Sequence, residues 1–303
     1  MAIEEGGRKV IETTVCLDVQ ISMLGLERRV ESEDVTAKDA DKKRLRVTKL
    51  IIESDTIKSM QKLRSRLAAD LKEIKVPTKM YRHGIYLIPQ IYVVNVENLL
   101  KLAKKEMKEL ATQLVSEYDD LKAAAKESLG QLYDEKDYPS PEALPALFDV
   151  QWDYLAFDTP AVLKNLDYEL FQSQRERAER RWDEAAEQIR RALREGFGGL
   201  VTEFVDKMIP GDDGTFRKLK QPFIDKFHEF LRFFEGRNVT SDEELDELVK
   251  KAKDLLEGRT AQELRGDEEM REKILESFKT LRESSDKLVQ EYVREVSLEE
   301  DAA

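Results

Sequence analysis

Cysteine, histidine and proline are scarce in this chain of 303 residues: it has one cysteine, two histidines and eight prolines. With Cys16 alone, no disulfide can close within the chain and nothing points to an oxidising compartment. A zinc site would have to combine His83, His228 and Cys16 or lean on carboxylates, and none of the three has a ligand-like neighbour at short spacing. Long hydrophobic runs are missing too. The longest apolar stretch, Ile85 to Val94, is interrupted by Pro89 and Gln90, well short of the roughly 20 residues that span a bilayer. With no signal-peptide pattern at the N-terminus, the expectation is no membrane association and a cytoplasmic location. The sequence also lacks a G-x-x-x-x-G-K-[ST] phosphate loop, a G-x-G-x-x-G after a strand, an H-E-x-x-H and a G-x-S-x-G. Nucleotide hydrolysis and serine or zinc hydrolysis by the usual routes are therefore unsupported; the expectation is a protein that is not an enzyme and needs no cofactor.

What is present is charge and helical periodicity. An apolar fraction of 41% is enough to bury a core, and the 38% of charged residues keeps the surface wet, which argues against disorder. The net charge of -12 argues against a nucleic-acid coat. That charge is unevenly placed: residues 1–93 hold 18 basic and 14 acidic side chains, and residues 42–82 hold 13 basic against four acidic, whereas residues 236–303 hold 12 basic and 20 acidic.

Val15, Leu17, Val19, Ile21 and Met23 alternate with Thr14, Cys16, Asp18, Gln20 and Ser22, predicting an opening strand with one apolar and one wet face. A polar connection over about 27–43 leads to a helix from near Asp55, with Ile57, Met60, Leu63, Leu67, Leu71 and Ile74 at three- and four-residue steps and Pro77 beyond its end. Residues 81–94 read as extended chain with a turn at His83-Gly84, and Pro89 places that strand at a sheet edge or a bulge.

Leu99, Ala103, Met107, Leu110, Leu114, Tyr118, Leu121, Ala125 and Leu129 form the clearest stripe, a helix over 96–129 that at 1.5 Å per residue is about 50 Å long. Pro139, Pro141 and Pro145 then interrupt the helices, and Phe148, Val150, Trp152 and Tyr154 alternate as a second β segment. A second long helix is predicted over 161–209, opened by Pro160 and carrying Leu163, Leu166, Leu170, Ala178, Trp182, Ala185, Ile189, Leu193, Phe197, Leu200, Phe204 and Met208. The mean step near 3.7 fits a straight or weakly coiled partner better than a strict heptad coiled coil, so antiparallel pairing of the two long helices is expected, with a kink or break at Gly196, Gly198 and Gly199. After the Pro210–Gly214 turn, helices are expected at 216–235, 241–257 and 267–296, the second opened by a Ser241/Glu244 capping box.

Candidate chemistry is thin. His83 reads as a turn residue, and His228, among Phe223, Phe227, Phe230, Phe233 and Phe234, as part of a helical core. Asp149, Asp153 and Asp158 could be gathered as metal ligands, but two of them belong to the wet face of a strand. Asp212 and Asp213 fit turn chemistry rather than a calcium loop. The basic segment is the one surface with a candidate role. Lys58, Lys62 and Arg66 share a helical face there, preceded by Lys42, Lys43, Arg44, Arg46 and Lys49, a set able to lie along phosphates. No aromatic residue is interleaved to stack bases, so the plainer reading is a solvated face or a dock for the acidic C-terminal region. The many arginines of 175–194 are interspersed with acids and read as intrahelical pairs.

The opening strand ending in Leu24-Gly25-Leu26, the Lys49-Leu50-Ile51 step into a helix, the Gly84-Ile85-Tyr86-Leu87-Ile88-Pro89 element ahead of a long helix and the Phe148–Trp152 strand resemble the DUF3150 family of bacterial and phage proteins over about residues 13–160. The resemblance carries no catalytic residues. It implies company in phage and mobile-element gene clusters, often near MoxR- or CobS-like AAA+ ATPases.

The expectation is thus a mainly α, α+β protein with a small antiparallel sheet. Its parts are an α+β body (1–95 and 146–160), a long helical hairpin (96–145 and 161–209) and an acidic C-terminal helical region (210–303). The function expected is a non-enzymatic adaptor or structural subunit with a protein partner, an AAA+ ATPase among the options, and homo-oligomers open. The alternative is a nucleic-acid-associated factor using residues 42–82.

Overall fold

The computed structural model describes residues 5–30, 46–79, 84–156, 159–209 and 219–302, without the side chains of 265 and 291–302. It is mainly helical, with a small antiparallel sheet and long helices. The chain runs α1 (Glu5–Thr13), β1 (Thr14–Ser22), β2 (Glu27–Val30), β3 (Val47–Leu50), α2 (Asp55–Ile74), β4 (Ile85–Pro89), α3 (Val93–Leu129), β5 (Asp149–Leu155), α4 (Val162–Leu166), α5 (Tyr168–Met208), α6 (Gln221–Arg237), α7 (Glu243–Leu256), α8 (Ala261–Gly266) and α9 (Glu268–Ala302).

The three-stranded sheet has the order β4-β1-β5, and β2 pairs antiparallel with β3, Glu27 opposite Leu50 and Val30 opposite Val47. Pro89 closes the edge strand β4, as its missing N–H requires, and Gly84 takes a φ of 94°, the left-handed turn conformation expected before it. His83 and the Pro210–Gly214 turn lie outside the described residues.

Several expectations give way. A short helix, α1, precedes the opening strand; its Gly6-Gly7 pair hides the helical signal, but Val10 is fully buried and holds it down. The polar connection after residue 26 contains β2. Cys16, placed on the wet face of β1, is 3% exposed because it joins the core formed with Val10, Trp182 and Ile189. The second long helix is divided: Asp167 is extended and caps α5, its carboxylate accepting from the Leu170 N–H. The glycines at 196, 198 and 199 do not break α5, which is continuous to Met208. The residue capping α7 is Asp242 rather than Ser241, which has a φ of 53°.

The chain divides into two compact units, the first comprising 1–17, 73–93 and 154–303 and the second 18–72 and 94–153. The long helices α3 and α5 belong to different units, and residues 219–302 share a core with α5 rather than forming a separate region. Each long helix has an antiparallel neighbour within its own unit. In the first unit α5 lies along α9: Arg194 bonds the Leu288 carbonyl, Gly198 faces Ser285 and Phe204 stacks on Phe278 with ring centres 4.1 Å apart, residue numbers rising on one helix as they fall on the other. Phe197, Phe223 and Phe227 complete an aromatic core there. In the second unit α2 lies along α3, with Ser54 bonded to Glu117 and Arg66 to Glu106. The α2 stripe of Ile57, Met60, Leu63, Leu67 and Leu71 is buried as expected. On α3 the buried face is Val96, Leu100, Ala103, Met107, Ala111, Leu114, Tyr118 and Ala125, one position off the predicted stripe at Leu99 and Leu110.

Candidate functional site

The basic segment is only partly a free surface. Lys42, Lys43 and Arg44 lie outside the described residues. Lys49, on β3, is turned inward: its ammonium sits 2.7 Å from Asp137, donates to the Leu132 carbonyl and is nearly covered. Such a lysine serves the fold, not a phosphate. Arg66 pairs with Glu106 across the two helices, and Lys58 pairs with Asp55 at 3.2 Å and Glu53 at 3.5 Å. The hydrogen bond to Asp55 and the two carboxylate charges raise the Lys58 pKa, keeping it protonated. Arg46 and Lys62 are exposed.

The carboxylates are likewise accounted for. Asp149 meets Lys104 at 3.2 Å and accepts from the Val150 N–H and the Gln151 amide. Burial disfavours its charge, but these hydrogen bonds outweigh the penalty and its pKa falls below the ordinary carboxylate value. Asp153 is exposed on the same strand, and Asp158 falls outside the described residues, as do Asp212 and Asp213. Among the described residues, no group of three or more His, Cys, Asp or Glu is placed to hold a metal. His228 uses its Nε2 on the Leu256 carbonyl at 3.1 Å, a half-buried structural role.

What the spacing of single residues did not reveal is a groove between α2 and α3 in the second unit. It has a volume of about 530 Å³; Leu63, Leu67 and Ala103 form its floor, Leu99 and Leu102 one wall, and Arg66, Asp70, Lys105, Glu106 and Glu109 its rim. Leu102 is 66% exposed, an apolar side chain left in water beside an apolar floor. The signal in the sequence is the width of the apolar band: Leu99, Leu100, Leu102 and Ala103 cover more of the helix than one partner can bury. An apolar trough between two antiparallel helices, rimmed by charges of both signs, is the geometry that receives an amphipathic helix. Val94, 70% exposed on the first turn of α3, is a second apolar group of this unit in water.

No helix of the described residues is long and apolar enough to cross a membrane. Comparison of the chain with protein-family models, with curated proteins and with solved structures found no match.

Proposed function

We propose that the protein is a non-enzymatic adaptor or structural subunit that takes a partner's amphipathic helix into the α2–α3 groove. The observation that carries this reading is the exposed Leu102 beside the Leu63–Leu67–Ala103 floor, ringed by Arg66, Asp70, Lys105, Glu106 and Glu109. Apolar surface held open between charged rims favours a protein segment, since burial of such side chains yields roughly 25 cal/mol per Å² and the rim fixes orientation. Read with the resemblance to the DUF3150 family, the partner is a MoxR- or CobS-like AAA+ ATPase of a phage or mobile-element assembly, and the site of action is the cytoplasm.

The phosphate reading is weakened by Lys49, which is committed to Asp137 and Leu132, and by the pairing of Lys58 and Arg66 with carboxylates. The discriminating experiment is affinity purification of the tagged chain from its host with and without nuclease, alongside a Leu99→Glu/Leu102→Glu variant. The expected result is a stoichiometric partner bearing an ATPase phosphate loop that survives nuclease and is lost from the variant. Nucleic acid as the only companion, released by salt and by neutralising Lys58, Lys62 and Arg66, would overturn the proposal and establish the alternative.

A further inference from the structure

The beginning of α5 is a helix without a core. Of its 41 residues, the first buried one is Glu179, so Tyr168–Ala178 make three turns with no buried side chain. An isolated helix of that length is marginal in water. The segment is not polar enough to explain its position: with α4 it exposes Val162 (59%), Leu166 (75%), Tyr168 (58%) and Leu170 (43%). Beside it in the first unit lies a cleft of about 790 Å³ whose walls include Ile11, Leu155, Pro160, Phe171, Ala178 and Trp182. Ala161 and Phe171, the chain neighbours of Val162 and Leu170, line this cleft, whose polar lining is Thr14, Thr159, Arg175 and Glu179.

The charges on the segment identify its occupant. At one end Asp167 and Glu169 outweigh Lys164, and at the other Arg177, Arg180 and Arg181 outweigh Glu176, all exposed. Glu169 and the three arginines form no ion pair with another described residue, whereas Arg175 is paired to Glu179 at 2.9 Å. Glu169 and Arg181 are about 18 Å apart along the helix axis. Laid antiparallel against a copy of itself, the segment sets its acidic end beside the other copy's basic end, and two-fold symmetry repeats the match. A parallel copy would set net negative end on net negative end and net positive on net positive. We infer that residues 162–181 form an isologous interface between two copies of this chain, the helices antiparallel and the two-fold axis passing near Gln174. The α4 row of each copy covers the cleft mouth of the other, and the arginine ends meet Glu169 and Asp167. This surface belongs to the first unit and the α2–α3 groove to the second, so self-association and partner capture are separable.

Sedimentation velocity on the full chain across the micromolar range tests the inference. The expected result is a concentration-dependent dimer that Leu166→Glu/Leu170→Glu converts to monomer with the far-ultraviolet circular dichroism unchanged. Arg180→Glu/Arg181→Glu should weaken dimerisation about tenfold or more, and mixing that chain with Glu169→Lys should restore a mixed dimer. Gln174→Cys should close an intermolecular disulfide on mild oxidation, Cys16 being buried and out of reach. A chain that stays monomeric, a dimer that persists in both multiple variants, or a dimer in which Gln174→Cys fails to cross-link would each overturn the inference.

Discussion

Arg194 of α5 grips Asp242, the cap of α7, with two parallel hydrogen bonds, Nε to Oδ2 at 2.6 Å and Nη2 to Oδ1 at 3.0 Å, in a place where both side chains are nearly sealed from solvent. The same guanidinium donates to the Leu288 carbonyl of α9, and the same carboxylate caps α7 by accepting from the Leu245 N–H. One bidentate pair thus fastens three helices of the first unit. Removing Asp242 leaves the buried guanidinium only Glu244, a largely exposed carboxylate at 3.3 Å, as counter-ion, and also removes the cap of α7. Asp242→Ala is expected to cost about 3–5 kcal/mol, read as a lowered urea midpoint. Replacing both, Arg194→Met with Asp242→Ser, keeps a cap on α7 and leaves no orphan charge. The double variant should be more stable than Asp242→Ala alone; a double variant that loses as much would show that the pair is not coupled.

Gly198 sets how closely α5 and α9 approach. A Cβ there would stand 2.9 Å from the Ser285 Oγ, an oxygen that is buried and has no hydrogen-bond partner, whereas a Cβ at Gly199 meets nothing within 4 Å. Neighbouring glycines in one helix should therefore respond with opposite sign. Gly199→Ala is expected to stabilise by about 0.5–1 kcal/mol through helix propensity. Gly198→Ala should instead destabilise by about 1–3 kcal/mol through overpacking. Ser285→Ala should rescue the latter. Thermal unfolding of the three single variants and the double variant measures all four terms.

The glycines also mark where sequence reading reached its limit. Gly196, Gly198 and Gly199 look like a helix break because propensity is local, but α5 runs on through them packed against α9 and α6, which no window around residue 198 contains. The stripe of α2 was legible from Ile57 to Leu71, where the three- and four-residue steps face one neighbour, and only Ile74 at its end is half-buried. That of α3 held at Ala103, Met107, Leu114, Tyr118 and Ala125 but was one position off at two places because its apolar band is wide, and only packing selects Leu100 and Ala111 over Leu99 and Leu110. The pairing of the long helices was not legible, as equal periodicity does not name a partner. Nor was the fate of Lys49, which reads as one more cation until Asp137 and Leu132 are brought to it across the fold.

Lys49 and Lys62 carry the same charge and should behave as different residues. Lys49→Gln deprives Asp137 of its close counter-ion, leaving Arg28 at 3.7 Å, and frees the Leu132 carbonyl. A loss of about 1–3 kcal/mol is expected for such a covered pair. Lys62→Gln, on the exposed face of α2, should leave the unfolding midpoint unchanged. Equal midpoints for the two variants in denaturant titrations would contradict the inward placement of Lys49.

Tyr118 makes the second unit sensitive to alkali. The side chain is fully buried on α3 and donates its hydroxyl to the Pro139 carbonyl. Burial, reinforced by Tyr138 and the charges of Glu135 and Asp119, pushes its pKa from 10.0 up to about 12. The phenol is neutral in both folded and unfolded chains at lower pH, so its contribution is fully present there. As the pH rises from 10 towards 12 the unfolded chain ionises first, which favours unfolding, and the contribution is lost through that window. Tyr118→Phe cannot ionise and keeps the packing of the ring while giving up the bond to Pro139. It should be less stable than the parent at neutral pH, because the Pro139 carbonyl loses its donor, and should show a shallower fall in stability above pH 10. Denaturant midpoints of parent and variant at neutral pH and across the alkaline range measure both effects, and parallel curves above pH 10 would remove Tyr118 as the titrating group.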